Sequence, residues 1–275
     1  MMRRCLFGWA LLWPLLVTAA PAEYSFGVAP QFSARQIAAV WQPILDQLSR
    51  RAGVRLVLQG VAQIPEFEQR FLAGRYDFAY MSSYHARLAA RHQGYRALVR
   101  DQDEPVSGVL VVRREGPVHT VADLAGKTIV FPSTNALAAS LLVRADLARR
   151  FRIRFAPRYV GTHTAVYLNV AQGLADAGGG TTQTLMLQPE SVRTRLRVTH
   201  HTTPVPAHPV VAHPRVPQSV QDRVRRAFIE LGNSAEGRAL LAAIPIRRIG
   251  PARPGDDAAI EPLDLEPFAN VENPP

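Results

Sequence analysis

Patterns typical of β-strands and of α-helices alternate along this chain, and the alternation limits the folds that it can adopt. Residues 24–99 alone carry four strand patterns separated by three helix patterns, with short connections between them. The first helix pattern, 34–52, repeats apolar residues on one face from Ile37 to Leu48 and ends at Gly53. Strands that alternate with helices in this way predict an α/β fold with a largely parallel sheet.

The alternation stops at a long strand pattern, 107–113, which no helix directly precedes, and then restarts. A second long strand pattern lies at 196–203. Two α/β halves connected by two such strands predict a bilobal protein with two hinge strands. We expect one lobe to contain residues 23–105 and 205–275, and an inserted second lobe to contain residues 106–204.

The N-terminus has the parts of a Sec-type signal peptide. Arg3 and Arg4 precede an almost wholly apolar run, 5–18, and a cleavage site of small residues that ends at Ala22. The apolar run is shorter than the roughly 20 residues that a membrane-spanning helix needs. We therefore expect residues 1–22 to be removed and the protein to be exported to the periplasm. The only cysteine, Cys5, would leave with them, which excludes disulfides and thiolate chemistry from the mature chain.

The chain is basic, with a formal net charge of +10 at pH 7. Such a charge fits a nucleic acid, an anionic membrane or an acidic partner. The basic residues are almost all arginines, with Lys127 the only lysine, and they are scattered rather than clustered. Because an exported protein rarely meets nucleic acid, we expect no nucleic-acid partner and only a weak attraction for small anions.

One strand–turn–helix pattern, at 129–144, is the strongest candidate for a binding site. A buried strand pattern ends at Ser133, Thr134 and Asn135, which are all favourable N-cap residues, and an Ala/Leu-rich helix pattern follows. The first turn of a helix has unpaired N–H groups and partial positive charge, so a strand that ends there forms an anion site. Plain capping is the alternative interpretation of this turn.

Two further polar turns follow predicted strands, where ligands of open α/β sheets collect. They contain Tyr84, in the first lobe, and Thr162, His163 and Thr164, in the second. Closure of the lobes would bring these turns and the helix start at 133–135 together.

The order of several short segments resembles the periplasmic substrate-binding proteins of phosphonate/phosphate/phosphite ABC transporters. The resemblance extends from about residue 26 to about residue 246 and implies the type II periplasmic-binding-protein fold. No single segment is specific, but their order and spacing are. The matching segments are 27–30, 41–45, 53–57, 74–80, 107–112, 124–128, 131–135, 161–163 and 173–177.

The resemblance also implies roles for individual residues. Ser133, Thr134 and Asn135 match the turn that holds the oxyanion, and His163 matches an imidazole that donates to an anion oxygen. Asp176 matches an acidic position opposite the anion, where a carboxylate accepts a hydrogen bond from a protonated ligand and rejects acceptor-only anions such as sulfate. The alternatives are a satisfied interior histidine and an aspartate that caps a turn.

Two departures from the family pattern bear on the ligand. Thr164 stands where members that bind aminoalkylphosphonates carry an aspartate, which favours phosphate, phosphite or methylphosphonate. Ser82 and Ser83 stand where members often have Gly-Pro, so the alignment of Tyr84 and His85 with the family pattern can shift by one residue. We take Tyr84 as the contact from the first lobe.

Other chemistry finds little support in the sequence. A proline-rich segment, 204–217, contains or adjoins histidines that invite a metal hypothesis, but their spacing matches no helical pair of ligands. These histidines are His200, His201, His208 and His213. The chain has no Gly-x-Ser-x-Gly motif, and the glycines at 178–180 lack the Gly-Lys-Ser/Thr of a phosphate loop. We expect no enzymatic activity, no metal and no cofactor.

The resemblance and the polar turns together imply a periplasmic solute-binding protein that captures a small phosphorus oxyanion between two lobes. Its partner would be a membrane ABC permease, and we expect it to act as a monomer. The alternative is that the same fold senses a ligand for a membrane histidine kinase or chemoreceptor.

Overall fold

The computed structural model describes residues 21–244 and 246–269, so the basic and apolar parts of the signal-peptide pattern lie outside the described residues. The strands are β1 (Glu23–Val28), β2 (Arg55–Gln59), β3 (Phe78–Tyr80), β4 (Arg96–Asp101), β5 (Gly108–Arg113), β6 (Thr128–Phe131), β7 (Ala156–Tyr159), β8 (Ala177–Thr181), β9 (Leu196–His201), β10 (Pro209–Ala212) and β11 (Ile249–Pro251). The helices are α1 (Ala34–Ala52), α2 (Ile64–Leu72), α3 (Ser83–Gln93), α4 (Val143–Arg149), α5 (His163–Ala171), α6 (Thr182–Met186), α7 (Glu190–Arg193), α8 (Gln218–Asn233) and α9 (Ala235–Leu241). A π-helical stretch, Leu137–Leu142, runs directly into α4, and short 3-10 turns lie at Ala122–Leu124, Ala258–Leu263 and Glu266–Phe268. No helix within the described ranges is long and apolar enough to cross a membrane.

The first sheet has six strands in the order β11-β4-β10-β3-β1-β2. β1 is parallel to β2 and β3, as the alternating pattern predicts, whereas β10 lies antiparallel between β3 and β4. β10 falls within the proline- and histidine-rich segment 204–217, where the sequence pattern indicated no strand. The chain enters β10 directly from the other sheet, without the crossover helix that a parallel neighbour needs.

The second sheet has five strands in the order β7-β6-β8-β5-β9. β6 is parallel to β7 and β8, and β5 is antiparallel to β8 and β9. Both sheets are therefore mixed, and the prediction of a largely parallel sheet is wrong for strands that border the passages between the sheets. The α/β class and the division into two sheets agree with the prediction.

The chain passes between the two sheets twice, from β4 to β5 and from β9 to β10. Val106 and Val205 pair at these passages, where the N–H of each donates to the C=O of the other at 2.8 and 2.9 Å. The long strand patterns 107–113 and 196–203, predicted as hinges, instead lie side by side in the second sheet. We call the parts around the first and second sheets lobe 1 and lobe 2; the predicted lobe boundaries fall at this valine pair and stay a prediction.

Helix α1 shows how the local sequence sets these elements. The Ser33 hydroxyl caps it by accepting a backbone N–H at 3.3 Å, and Gly53 ends it with a φ of 63°, in the left-handed region. Its apolar face packs on β1, where the Trp41 ring lies 5.4 Å from the Phe26 ring. The bounds and the buried face match the prediction for 34–52.

The C-terminal segment, 252–269, packs across both lobes. The sequence analysis assigned it to the first lobe, but Ile260 and Phe268 are buried in a cluster with Leu141 of lobe 2. Its carboxylates form ion pairs with both lobes: Arg87–Glu261 at 3.1 Å and Arg149–Asp264 at 3.0 Å. Buried apolar side chains and ion pairs thus both attach this segment to the two lobes.

Candidate functional site

A small cavity lies between the lobes, beyond the carboxyl ends of strands from both sheets. Lobe 1 contributes Ala29, Gln31, Ile64, Ser82, His85 and His208; lobe 2 contributes residues 136–139, His163 and Thr181. The lobes touch here, because the His163 N–H donates to the Gln31 C=O at 3.1 Å. The cavity volume is about 30 Å³, which admits only a small ligand while the lobes stay in contact.

The helix that follows β6 supplies backbone N–H groups to this cavity. Ala136 is its N-cap residue, and the N–H groups of Ser140 and Leu141 donate to the Ala136 C=O at 2.7 and 3.1 Å. Residues 137–139 come before the first residue that donates within the helix, so their N–H groups have no acceptor within the helix. Because this end of a helix also carries partial positive charge, residues 137–139 form a site suited to an anion.

Two glycines allow this helix to approach the sheet closely. A Cβ on Gly108 would lie 2.1 Å from the carbonyl oxygen of Ala138, and one on Gly179 would lie 2.0 Å from that of Ala139. Any larger residue at either position would push the start of the helix away from the sheet. The glycines at 178–180, which do not form a phosphate loop, thus position the helix that borders the cavity.

Ser133, Thr134 and Asn135, which the sequence analysis predicted to hold the anion, precede the helix start and do not line the cavity. Ser133 is buried, and its Oγ has no hydrogen-bond partner among the described residues. The Thr134 C=O accepts a hydrogen bond from Arg144 at 2.5 Å, and the Asn135 amide donates to Glu68 at 3.2 Å. The alternative interpretation, in which these side chains cap the helix, is wrong, because the helix begins two residues after Asn135.

The turn at Thr162, His163 and Thr164 brings one of its three side chains to the cavity. Thr162 caps α5 by accepting the Ala165 N–H at 3.1 Å. His163 is buried and lines the cavity, and its Nδ1 lies 3.1 Å from the Thr184 Oγ1, which leaves Nε2 for a ligand. Thr164 does not line the cavity, and its buried Oγ1 has no partner in the part of the chain that the structure describes.

Burial makes His163 a source of acid sensitivity. It lowers the pKa of His163 from 6.5 to about 4, so the folded protein keeps this imidazole neutral where the unfolded chain would protonate it. We expect the free energy of unfolding to fall as the pH drops from 6.5 to about 4, by on the order of 3 kcal/mol from this group. Urea denaturation at several pH values would measure the effect, and a His163→Gln variant should lose less stability over the same range. Equal losses in both proteins would contradict this assignment.

In lobe 1, His85 rather than Tyr84 reaches the cavity. The Ser82 hydroxyl caps α3 by accepting the His85 N–H at 3.2 Å, and His85 then lies in the first turn of the helix. Tyr84 packs instead in the apolar cluster that holds the C-terminal segment, and burial raises its pKa to about 12. The choice of Tyr84 is therefore corrected by one residue, in line with the ambiguity that Ser82 and Ser83 introduce.

Asp176 lies at the opposite end of the second sheet. Its carboxylate accepts the Thr128 N–H at 2.9 Å, at the start of β6, whereas the cavity lies beyond the far ends of β6 and β8. The interpretation of Asp176 as a ligand carboxylate is therefore wrong. The alternative, an aspartate that satisfies a backbone group at a strand end, describes what the structure shows.

His208 lines the cavity, although the sequence analysis considered it only as a metal ligand. The residue is half-buried, and its Nδ1 is buried without a hydrogen-bond partner among the described residues. Burial lowers the pKa of His208 to about 3, and the neighbouring His163, His85 and Arg100 lower it further. No sequence motif marks this histidine, because only the pairing of β10 with β3 brings it to the cleft.

The other histidines of the metal hypothesis lie elsewhere. His200 Nε2 lies 2.7 Å from the Asp146 carboxylate in lobe 2, and the His213 ring lies 4.9 Å from the Tyr95 ring in lobe 1. Within residues 21–244 and 246–269 there is no group of three or more histidine, cysteine or acidic residues that could hold a metal ion.

The cavity is lined by apolar side chains and by hydrogen-bonding groups without full charges. Its lining includes imidazoles, hydroxyls and free backbone N–H groups, but no lysine, arginine or carboxylate among the described residues. An anion bound there would be held by directed N–H donors and by the helix end rather than by a cation. Such a site distinguishes ligands by where their oxygens and protons lie.

Comparisons with known proteins agree with the bilobal α/β fold. A family model described as the periplasmic substrate-binding protein of phosphonate ABC transporters matches residues 26–257. The binding-protein component of an ABC phosphonate transporter from Pseudomonas aeruginosa is 16% identical with a TM-score of 0.82, over 90% of this chain and 88% of that one. PhnD1 from Prochlorococcus marinus, solved in complex with methylphosphonate, is 16% identical with a TM-score of 0.77, over 88% and 97% of the two chains. A Xanthomonas citri protein bound to chloride is 18% identical with a TM-score of 0.68, over 88% and 95%. At these identities the structural matches establish the fold.

Proposed function

Because this chain belongs to the family of periplasmic substrate-binding proteins of phosphonate ABC transporters, we propose that its cleft captures a small phosphorus oxyanion. The candidates are phosphate, phosphite and an alkylphosphonate such as methylphosphonate. The observation that carries the proposal is the meeting, in one interlobe cavity, of the free N–H groups of residues 137–139 and the imidazole of His163. The N–H groups donate, and a neutral His163 whose Nδ1 accepts from the Thr184 hydroxyl carries its proton on Nε2 and donates as well. Neither group needs a counter-charge to bind an anion.

Binding would close the two lobes over the ligand. Two contacts already join the lobes beside the cavity, from the His163 N–H to Gln31 and from the Asn135 amide to Glu68. A ligand held by lobe 2 and touched by His85 and His208 of lobe 1 would favour this closed arrangement over an open one. Closure also removes water, which strengthens each hydrogen bond to the anion.

The small size of the cavity supports a ligand of few atoms. Its volume of about 30 Å³ suits a compact tetrahedral anion better than a ligand with a long aminoalkyl chain. The absence of a carboxylate from the described lining removes the usual partner for a ligand amine. Both observations favour phosphate, phosphite or methylphosphonate.

We propose the remaining parts of the role from the sequence and the family together. We infer cleavage of the signal peptide after Ala22, delivery of the anion to a membrane ABC permease, and action as a monomer without enzymatic activity. The family match is to transport proteins and does not favour the sensor alternative.

Isothermal titration calorimetry on the mature protein tests the ligand class. We expect binding of methylphosphonate, phosphite or phosphate, and a loss of about 1–3 kcal/mol of binding free energy in a His163→Ala variant, because a hydrogen bond to a charged group disappears. The matched control is His92→Ala, at an exposed position near the end of α3, which should bind as the wild type does. Heat from none of the three anions would overturn the proposed ligand class, and unchanged affinity in His163→Ala would move the site elsewhere.

A further inference from the structure

A partly buried carboxylate–imidazole pair borders the cavity on its lobe 1 side. Glu68, on α2, lies with its Oε1 at 2.8 Å from the Nε2 of His85, on α3. The side chain of His85 is 3% exposed and that of Glu68 is 15% exposed. The second nitrogen of His85, Nδ1, is buried without a hydrogen-bond partner among the described residues, although His85 lines the cavity. A buried, unpartnered nitrogen beside a binding cavity indicates that a ligand group is its partner.

The pair determines which hydrogen-bonding role this nitrogen has. An ionised carboxylate only accepts hydrogen bonds, so the contact with Glu68 requires the proton of a neutral His85 ring to be on Nε2. Nδ1 then carries a lone pair and is an acceptor. The cavity therefore combines donors on the lobe 2 side, from residues 137–139 and His163, with an acceptor on the lobe 1 side.

We propose that His85, oriented by Glu68, determines specificity by accepting a hydrogen bond from the protonated oxygen of the bound oxyanion. This inference rests on the proposed function. A hydroxyl oxygen of a singly protonated phosphate or phosphonate would donate to Nδ1, while its unprotonated oxygens accept from lobe 2. Sulfate, which has no proton to donate near neutral pH, would place an acceptor against an acceptor. This is the role that the sequence analysis assigned to Asp176, which lies at the wrong end of the sheet.

The groups around His85 are consistent with its role as a hydrogen-bond acceptor for the ligand. The rings of Phe67 and Phe71, at 6.3 and 5.5 Å, and the Tyr84 ring, at 6.2 Å, pack around the imidazole. The titratable groups near it are Glu68 from α2, Tyr84 from its own helix, and His208 and His163 across the cavity. The two histidines stay neutral at neutral pH because burial lowers the pKa of each. Glu68 is thus the one full charge in contact with His85 among the described residues.

The same carboxylate also joins the lobes. Its Oε2 accepts the Asn135 amide of lobe 2 at 3.2 Å, while its Oε1 holds His85 of lobe 1. Closure therefore fixes Glu68, and through it the orientation of His85, at the moment when the ligand is enclosed. In the closed state, an oxyanion without a proton would place one of its oxygens against the lone pair of Nδ1. The repulsion between these two acceptors would favour the open state.

A Glu68→Gln variant should reverse the polarity of Nδ1. The carbonyl of the new amide would accept from Asn135, its NH₂ group would face His85 Nε2, and the ring proton would shift to Nδ1. We expect the ratio of methylphosphonate affinity to sulfate affinity, measured by calorimetry near neutral pH, to fall about tenfold or more. His85→Phe, which keeps a ring but removes the nitrogen, should lower the same ratio by weakening methylphosphonate binding. Glu66→Gln, on the same helix and paired with Arg70, is the matched control and should leave the ratio unchanged.

A second measurement needs no variant. Above the second pKa of methylphosphonate, wild-type binding should take up about one proton per ligand, seen as a binding heat that depends on the ionisation enthalpy of the buffer. Wild-type binding of methylphosphonate with no proton uptake, or an unchanged selectivity ratio in both folded variants, would overturn this inference and leave the proposed function intact. If the wild type bound sulfate but none of the phosphorus anions, the proposed function and this inference would both fail.

Discussion

Replacement of Arg144 by methionine is expected to lower the free energy of unfolding by about 3 kcal/mol. The Arg144 side chain is fully buried, and its guanidinium donates to the carbonyls of Thr134 and Phe268, at 2.5 and 2.6 Å, and to the Tyr159 hydroxyl at 3.1 Å. Methionine fills similar space but leaves these acceptors without their donor, at about 1–3 kcal/mol for each buried group.

Burial of the charge acts in the opposite direction. It lowers the pKa of the Arg144 guanidinium, because the charged form is desolvated, and methionine would remove that cost. We expect the unsatisfied acceptors to dominate, since they belong to the turn before the cavity and to the C-terminal segment. Urea denaturation followed by circular dichroism would measure the difference. Arg154→Met, at an exposed position of lobe 2, is the control and should change stability by less than about 0.5 kcal/mol.

Loss of Arg144 should also release the C-terminal segment from lobe 2. Limited proteolysis of the folded Arg144→Met variant should cut within 252–269 faster than it cuts the wild type. A variant as stable as the wild type, with the same cleavage rate, would contradict the role assigned to this arginine.

Replacement of Gly179 by alanine is expected to impair both stability and binding. The added Cβ would lie 2.0 Å from the Ala139 carbonyl oxygen and 2.6 Å from the Phe131 ring, so the backbone of the helix start must move. Overpacking of this kind costs about 1–3 kcal/mol of stability. Because the displaced residues supply the N–H groups that face the cavity, we also expect at least about a tenfold loss of methylphosphonate affinity.

The control for Gly179→Ala is Gly60→Ala. Gly60 has an ordinary φ, and an added Cβ there meets no atom within 4 Å, so stability and affinity should stay near those of the wild type. Calorimetry and urea denaturation on the same preparations would separate the two effects. Full affinity in Gly179→Ala would show that the helix start does not bind the ligand.

The sequence predicted elements whose signals are local. Ser33, Gly53 and the apolar face between them are sufficient to place α1, because capping and periodicity act within one helix. The sequence analysis did not predict β10, because prolines interrupt the strand pattern around it. Pro209, at the first position of β10, is nevertheless compatible with a strand.

The positions of the side chains in the site depend on contacts between residues distant in sequence, which local sequence patterns cannot predict. The polar residues before the helix looked like caps, but Thr134 and Asn135 engage Arg144 and Glu68, which are distant in sequence, and an alanine occupies the N-cap position. His85 and His208 come together only through the pairing of strands from separate parts of the chain. His163 was identified because it lies in a polar turn after a predicted strand and matches a position of the family motif.

A crystal structure of the mature protein with methylphosphonate would test the central claim most directly. The account predicts the ligand between the lobes, with its oxygens about 2.7–3.2 Å from the backbone nitrogens of residues 137–139 and from His163 Nε2. A ligand bound outside this cleft, or held there without contact to the helix start, would contradict it.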